Sequence, residues 1–316
     1  MLLRLVVIMV LMCCARANAT FTIYATDFEP DEPGGGYSGN FDLAGQNGWQ
    51  GNASSNWNGV ADGFINGLGR QAYIGYYVPE NSPSYLSVWQ PLNFHPLSSN
   101  APLVIFSVIM GVWEFSPDEE IYDDFFWSVY NTEGHRLFTL DFDNADLNIY
   151  YALDDAGGNF IPVETNFLNN TPYQLTVAMN FASNAWSAAV GTTTIVSNKP
   201  ITTSGASLNL GRIAAEWRIR NSSTPGDNFM VFDRYRITAQ ITPPNPPQLQ
   251  VLGVTNGVAF MRLNAQSNYQ FAVDMTTNLS NWSGLITNIT AAGFFDFNDA
   301  AAANFYQRYY RARWVE

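Results

Sequence analysis

Carboxylates are the residues of this chain whose types and spacing come nearest to a catalytic arrangement. Retaining glycoside hydrolysis needs two carboxyl groups about 5 Å apart, and alternate positions on one strand place two side chains on the same face. In the acidic run at residues 118–124, the alternate positions are Glu119, Ile121 and Asp123. An apolar residue therefore separates the two carboxylates on that face, and the alternating set of acidic residues is incomplete. Asp141 and Asp143 also alternate, but no glutamate accompanies them. We therefore predict that both segments are solvated turns or strand ends rather than a catalytic pair.

Aromatic residues offer a second kind of chemistry, the stacking of a sugar ring on an exposed aromatic face. Several rings lie on two consecutive predicted strands, and two tryptophans lie in loops rich in glycine and asparagine. The alternative is that these rings belong to the core of a sandwich. Residues 103–115 are apolar on both faces of the predicted strand, so the pattern does not show which face is exposed to solvent. The candidate ligand-binding residues are Trp113, Trp127, Tyr130, Asp123, Trp49 and Trp57.

Histidine, phosphate-loop and nucleic-acid chemistry have little support. His95 and His135 are far apart in sequence and both adjoin turns, and the glycine run at residues 34–36 does not lead from a strand into a helix. The formal net charge is −13 and Lys199 is the only lysine. Because binding to a nucleic-acid backbone needs clustered Lys and Arg, we expect no nucleic-acid partner.

Period-two alternation is the pattern that must position these candidates. Residues 173–181 (YQLTVAMNF) alternate between apolar and polar side chains, and two further short runs follow up to Val196 after turn residues. This pattern predicts an antiparallel meander with one buried face. Similar runs recur between turn clusters, no segment has a helical period of 3.6, and aromatics reach 15% while charged residues make up only 13%. The sequence therefore predicts an all-β fold, a large two-sheet antiparallel jelly-roll sandwich followed by a small β-sandwich domain.

Proline marks the boundary between the two predicted domains. Residues 242–247 (TPPNPP) contain four prolines and predict a stiff linker. We therefore expect a large sandwich over residues 20–240, a linker over 241–247 and a small domain over 248–316. Because the small domain has no disulfide to stabilise it, we expect aromatic residues to form its core: Phe260, Tyr269, Phe271, Trp282, Phe294, Tyr309 and Tyr310.

The first nineteen residues have the features of a cleaved export signal. Arg4 precedes an apolar run that is too short to span a bilayer, and Ala17, Asn18 and Ala19 form a small-x-small cleavage site. Acylation of Cys13 or Cys14 in the same segment is the alternative. We expect cleavage before Thr20 and a secreted or cell-surface protein, and the absence of any other cysteine suggests a bacterial source.

Three stretches together resemble a concanavalin A-like, LamG-type jelly roll. They are the opening DFE at residues 27–29 with FDLAGQNGW after it, the YQLTVAMNFASNAW meander, and the closing FMVFDRYRIT at residues 229–238. The tail, with TTNLSNW, FFDFND and RYYRARW, resembles an immunoglobulin or fibronectin type III module of secreted bacterial proteins. The resemblance implies glycans as the ligand class, but no reaction, since the same fold also serves as a binding or spacer module.

The resemblance also implies a structural calcium ion that ties the first strand to the last. Glu29, backbone carbonyls of residues 33–36 and Asp233 would supply several of the six to eight oxygens that calcium takes. Asp233 interrupts an apolar face in its strand and therefore needs a partner there. Calcium is one such partner, and an arginine such as Arg212 or Arg218 is the other.

Three functions remain open from the sequence. The first is a secreted non-catalytic protein that binds glycans or mediates cell-surface adhesion, and the second is a structural exported protein that binds another protein. The third is a divergent polysaccharide hydrolase or lyase with a site formed by Glu114, Glu119, Glu120 and Asp123. Because no complete catalytic pair is present, the binding protein is the function that the sequence favours.

Overall fold

The computed structural model describes residues 19–315 except 53–56, 78–83, 116–121, 155–158, 222, 225 and 268. The chain divides into two compact units at Thr242 and Pro243, within the proline-rich segment. The export signal predicted for residues 1–19 lies outside the described residues apart from Ala19. No helix in the described part of the chain is long and apolar enough to cross a membrane.

Strands make up the regular structure described in the larger unit. In chain order they are β1 (Thr20–Thr26), β2 (Gln50–Gly51), β3 (Asn58–Asp62), β4 (Arg70–Ile74), β5 (Tyr85–Trp89), β6 (Leu103–Glu114), β7 (Asp124–Tyr130), β8 (Arg136–Asp143), β9 (Asn148–Leu153), β10 (Ile161–Asn166), β11 (Tyr173–Asn180), β12 (Ala185–Val190), β13 (Thr193–Pro200), β14 (Arg212–Arg218) and β15 (Asn228–Gln240).

These strands form two antiparallel sheets. The eight-stranded sheet has the order β13-β12-β11-β6-β15-β4-β3, and β1 also pairs with the long strand β15. The seven-stranded sheet has the order β10-β9-β8-β7-β14-β5-β2. This architecture confirms the predicted all-β, two-sheet sandwich.

One continuous apolar core lies between the inner faces of the two sheets. On β11, Leu175, Val177 and Met179 are buried while Gln174 and Asn180 are exposed, as alternation predicts. Side chains from the two sheets meet directly in this core. Phe138 on β8 stacks on Trp186 of β12 with ring centroids 4.0 Å apart and an interplanar angle of 10°. Burial of such large rings is the main stabilising term for the sandwich.

Strand β15 does not present the single apolar face that the sequence pattern predicts. It contains a bulge between Asp233 and Arg236, with Arg234 at a φ of 50°. The extra residue shifts the alternation by one position. Phe229 and Val231 therefore belong to a separate cluster outside the main core, whereas Tyr235, Ile237 and Ala239 point into the main core.

The smaller unit contains two three-stranded sheets, ordered β16-β17-β20 and β19-β18-β21. Its elements are β16 (Gln248–Thr255), β17 (Val258–Asn264), β18 (Gln270–Thr276), β19 (Ser283–Ile289), β20 (Phe294–Asp299), a short 3₁₀ helix (Ala302–Asn304) and β21 (Tyr309–Trp314).

The core of the smaller unit differs in part from the predicted set of aromatics. Tyr269, Phe271 and Tyr310 are buried as expected, but Phe260 and Phe294 are each 40% exposed. Alternation along β20 explains the difference, because it turns Phe295 and Phe297 inward and Phe294 outward. The immunoglobulin or fibronectin type III character of this unit stays a prediction.

We expect Trp186→Ala to lower the free energy of unfolding of the larger unit by about 3–5 kcal/mol, because it leaves a cavity against Phe138. Calorimetry and urea denaturation followed by near-ultraviolet circular dichroism measure this change. Trp282→Ala in the smaller unit, where the ring is half-buried against Arg311, is the matched control and should leave the larger unit unchanged. A loss below about 1 kcal/mol for Trp186→Ala would contradict the central role of this contact.

Candidate functional site

The aromatic candidates on β6 and β7 do not form one platform, because the two strands belong to different sheets. Trp113 is half-buried on the outside of the eight-stranded sheet, in the cluster of Phe229 and Val231. Trp127 is 2% exposed and lies between the sheets. Tyr130 is the one candidate of this group that is half-buried on the outside of the seven-stranded sheet. We therefore correct the expectation that Trp127 stacks on a ligand, since its faces are covered by the core.

Trp49 and Trp57 are also core residues rather than exposed loop platforms. Trp49 is 2% exposed, and its Nε1 donates hydrogen bonds of 3.0 Å to the hydroxyls of Tyr24 and Tyr37. The Trp57 side chain is fully buried in the same core. The sequence pattern is misleading here because polar, glycine-rich loops surround rings that fold inward.

Asp123 is buried and holds together two segments at one end of the seven-stranded sheet. Its carboxylate accepts hydrogen bonds from Trp217 Nε1 at 3.0 Å and from the backbone N–H groups of Arg220 at 2.9 Å and Gly226 at 3.0 Å. Burial raises the pKa of Asp123, although these hydrogen bonds lower it. With its oxygens occupied by protein donors, Asp123 is not positioned to bind a ligand, which corrects the prediction.

The hydrolase site predicted from the acidic run is divided by the fold. Glu114 ends β6 in the eight-stranded sheet, where its Oε2 accepts a hydrogen bond of 3.2 Å from Asn169. Asp123 adjoins the seven-stranded sheet. Glu119 and Glu120 lie outside the described residues. The two described carboxylates accept hydrogen bonds from different donors, Asn169 for Glu114 and residues 217–226 for Asp123.

Asp233 and Glu29 lie near the junction of β1 and β15, as the calcium prediction requires. Burial first, then the negative charges of Asp27 and Glu29, raise the pKa of Asp233 to about 7, against a hydrogen bond of 2.7 Å from the backbone N–H of Arg234. However, no three His, Cys, Asp or Glu side chains in the described ranges come together to hold a metal ion. The side chains alone do not make a calcium site, and calcium stays a prediction.

The alternative partners proposed for Asp233 are occupied elsewhere. Arg218 pairs with Asp124, and Arg212 lies over the rings of Trp89 and Tyr130. All of these contacts are on the seven-stranded sheet, whereas Asp233 is on the eight-stranded sheet. The pairing of Asp233 with Arg212 or Arg218 is therefore wrong.

The outward side of the seven-stranded sheet carries a polar and aromatic surface, which we call the outer face. Cross-strand partners point to the same side of a sheet, so the register defines its members. They are Tyr85, Ser87 and Trp89 on β5, Arg212, Ala214, Glu216 and Arg218 on β14, Asp124, Phe126, Ser128 and Tyr130 on β7, Arg136, Thr139, Asp141 and Asp143 on β8, and Asn148, Tyr150 and Ala152 on β9.

Glu216 is the centre of a hydroxyl network on this face. Its side chain is 1% exposed and accepts hydrogen bonds from Tyr130 at 2.8 Å, from Ser87 at 3.3 Å, and from Tyr85 and Ser128. Burial raises the pKa of Glu216, although the four hydroxyl donors lower it. Four neutral donors compensate in part for the cost of removing this carboxylate from water.

Asp141 is a second buried carboxyl group in the same cross-strand row. The register runs from Asp141 through Phe126 to Glu216, so the two carboxyl-bearing residues are two strands apart, at a backbone separation of roughly 10 Å. Burial, and then the charges of Asp124 and Asp143, raise the pKa of Asp141 to about 8. Among the described residues its Oδ1 is buried without a hydrogen-bond partner. We therefore expect Asp141 to be protonated at pH 7.

An ion-pair network occupies one end of the outer face. Asp124 is fully buried and accepts a hydrogen bond of 2.8 Å from the Nε of Arg218 and another of 2.8 Å from the Nε of Arg220. Arg220 also pairs with Asp143. Arg218 lies 5.3 Å from the ring centroid of Phe126. These contacts fix the guanidinium groups in place.

The opposite end of the outer face holds an arginine between two aromatic rings. The guanidinium carbon of Arg212 is 4.1 Å from the ring centroid of Tyr130 and 4.6 Å from that of Trp89. All three side chains are half-buried. Such stacking holds the guanidinium through cation–π attraction while leaving its edge free for hydrogen bonds.

The sequence pattern predicts only a small part of this site. Tyr130 was recognised, and the alternation of Asp141 with Asp143 was noticed but interpreted as a solvated strand end. Glu216 was missed because it stands alone between Ala215 and Trp217 and its partners are distant in sequence. The available signal was the charged residue at the centre of a strand that is otherwise apolar, since such a residue needs partners.

No protein-family model and no curated protein matches the chain. A sialidase structure aligns over 68% of this chain with a TM-score of 0.45 and 11% identity, and the chain spans only 18% of that sialidase. A carbohydrate esterase from Shiga toxin-encoding bacteriophage phi24B aligns over 70% of this chain and 99% of its own, with a TM-score of 0.46 and 12% identity. The CBM2 module of the evolved Dit of Lactobacillus casei BL23 phage J-1 aligns over 72% and 98%, with a TM-score of 0.45 and 11% identity.

These three neighbours share little sequence identity with the chain and have TM-scores below 0.5. At TM-scores under 0.5 they carry no argument about the ligand or the activity of this chain. The class that the fold defines is an all-β protein with a two-sheet antiparallel sandwich and a smaller β domain, and any function has to be argued from its outer face.

We expect Asp141→Asn to change how stability depends on pH. The folded-state pKa of about 8 lies above the unfolded value of roughly 3.9, so the folded state keeps a proton that the unfolded state loses between these values. The wild type therefore loses stability through Asp141 as the pH rises from about 4 to 8, by roughly 6 kcal/mol at most. Urea denaturation at pH 5 and pH 9 should show Asp141→Asn gaining stability relative to wild type at the higher pH.

Asp31→Asn, which removes an exposed carboxylate, is the control for this experiment and should follow the wild type at both pH values. A difference between Asp141→Asn and wild type that is the same at pH 5 and pH 9 would show that Asp141 is not held neutral.

Proposed function

We propose that this protein binds a glycan on the outer face of its seven-stranded sheet. The observation that carries the proposal is the set of half-buried rings, Tyr85, Trp89 and Tyr130, placed around the buried Glu216 network. A sugar presents an apolar ring face and an edge of hydroxyls. Aromatic rings and fixed hydrogen-bonding groups are the two features that such a ligand needs.

The rigid placement of these groups supports binding. Tyr85 and Tyr130 are tied to Glu216, and Arg212 is stacked between Tyr130 and Trp89. Side chains that are held before the ligand arrives lose little entropy on binding. Strands rather than loops carry all of them, which favours a site of fixed geometry.

We also propose that the protein is exported and acts outside the cytoplasm or at the cell surface. The support is the apolar run and the small-x-small site before Thr20 in the sequence. Mass spectrometry of the N-terminus from the exporting cell tests this directly, because a start at Thr20 is the expected product.

Affinity electrophoresis of the purified protein in gels that contain single polysaccharides tests the binding proposal. We expect retardation by at least one polymer, and a roughly tenfold weaker affinity for Trp89→Ala, since one aromatic contact is worth about 1.4 kcal/mol. Trp113→Ala, on the eight-stranded sheet, is the matched control and should bind as the wild type does.

Two results would overturn this assignment. Loss of binding in Trp113→Ala with full binding in Trp89→Ala would move the site to the other sheet. No retardation by any polymer would instead favour a protein partner for the chain.

A second candidate function, hydrolysis of a polysaccharide, is favoured by Asp141. Burial raises its pKa to about 8, and its buried Oδ1 has no hydrogen-bond partner among the described residues. A general acid has to be protonated at the working pH before it can protonate a leaving oxygen. Under this proposal Asp141 protonates the leaving oxygen, and the attacking water gives its own proton to bulk solvent. Glu216 does not activate this water, because four hydroxyl groups already donate to its carboxylate.

Release of reducing ends from a bound polymer is the measurement for this second function. We expect Asp141→Asn to lower the rate at least about 100-fold if Asp141 is the general acid, with binding retained. Glu114→Gln serves as the control from the other sheet and should keep full activity. Wild-type activity in Asp141→Asn would exclude the assignment, and no release by the wild type would leave the protein a binding protein.

A further inference from the structure

We infer that the glycan is anionic, and that Arg212 and Arg136 bind its carboxylate or sulfate groups. This inference rests on the proposed function and specifies the ligand class for the same outer face. It comes from the placement of two arginines that form no ion pair with any described residue.

Arg212 and Arg136 lie in one row across three strands. Arg212 on β14 is the direct partner of Tyr130 on β7, and Tyr130 is the partner of Arg136 on β8. Both arginines are half-buried. Burial and the charge of Glu216 raise the pKa of the Tyr130 hydroxyl. The positive charges of the two neighbouring arginines lower it.

Neither arginine forms an ion pair among the residues that the structure describes. At the other end of the outer face, Arg218 and Arg220 are both paired with Asp124. The Nε of Arg212 is buried and has no hydrogen-bond partner. A donor of this kind costs free energy unless a ligand or water satisfies it.

The geometry of the Arg212 end suits a planar anion or a sulfate. A guanidinium group offers donors in a fixed fork that matches carboxylate oxygens in pairs. The rings of Trp89 and Tyr130 hold the Arg212 guanidinium at 4.6 Å and 4.1 Å and restrict its rotation. A neutral sugar would leave both positive charges without a counter-charge, whereas an acidic sugar would supply one.

The net charge of −13 does not oppose this local attraction. Exposed charges further away than about 8 Å are largely screened at physiological ionic strength. Two acidic groups lie near this row. Glu216, in the neighbouring row, is buried and accepts a hydrogen bond of 2.8 Å from Tyr130, and Glu133, in the turn between β7 and β8, accepts one of 3.3 Å from Asn209. Neither carboxylate forms an ion pair with Arg212 or Arg136 among the described residues.

Matched pairs of polymers test this inference by isothermal calorimetry. The first pair is polygalacturonate and the same polymer after reduction of its carboxylates to alcohols, and the second is a carrageenan and neutral agarose. Laminarin and xylan complete the neutral set. We expect binding to at least one acidic member and at least about tenfold weaker binding to its neutral partner, the scale of a charge-assisted hydrogen bond.

Three variants assign the effect to residues. Arg212→Lys keeps the positive charge but loses the paired N–H donors of the guanidinium group, and should weaken binding of the acidic polymer about tenfold. Arg136→Gln removes the charge and should weaken binding by a similar factor. Arg236→Gln, an exposed arginine of the eight-stranded sheet, is the matched control and should bind as the wild type does. Melting temperatures within a few degrees of wild type show that each variant is folded.

The outcomes separate this inference from the proposed function. Equal or tighter binding of the neutral partners, or an equal loss in Arg236→Gln, overturns the anionic ligand while glycan binding stands. No binding to any polymer overturns both. Preference for polygalacturonate identifies a carboxylate as the recognised group, and preference for the carrageenan identifies a sulfate.

Discussion

The position of Trp127 between the two sheets is the constraint on which the outer face depends. Its ring lies 5.2 Å from that of Phe106 and 5.3 Å from that of Phe232, both on the eight-stranded sheet. Because side chains alternate along a strand, an inward Trp127 requires Phe126 and Ser128 to point outward. Ser128 thereby meets Glu216, whose own strand is set by inward neighbours in the same core. Packing in the core therefore decides which polar groups come together outside it.

Burial of carboxyl groups is the second feature that distinguishes this face. A chain with only 13% charged residues nevertheless buries Asp124, Asp141 and Glu216 on one sheet. Each is accommodated differently: arginines neutralise Asp124, hydroxyls surround Glu216, and Asp141 keeps its proton. Such an arrangement costs stability compared with apolar residues of the same size. Clusters of strongly perturbed groups of this kind are more common at functional sites than elsewhere, which is why the face is our candidate.

Charge is distributed unevenly across the outer face. At one end Arg218 and Arg220 pair with Asp124, whereas at the other end neither Arg212 nor Arg136 has an ion pair among the described residues. The eight-stranded sheet offers a different surface, with half-buried Trp113 among apolar neighbours. The two sides of one sandwich thus present different chemistry, since the strands that alternate into a shared core are free to differ on their outward positions.

The fold class followed from the sequence alone, because alternation in residues 173–181 and its recurrence between turns depend only on neighbours along the chain. Short strands without a clear pattern, such as β2 (Gln50–Gly51) and β10 (Ile161–Asn166), were not foreseen. The candidate site was recovered only at Tyr130 and in the spacing of Asp141. Which strands become neighbours was decided by tertiary structure: β6 and β7 are consecutive in the chain yet lie in different sheets, whereas β14 joins β7 from more than eighty residues away. Glu216 acquires its partners only through that pairing, so no local pattern in the sequence could indicate them.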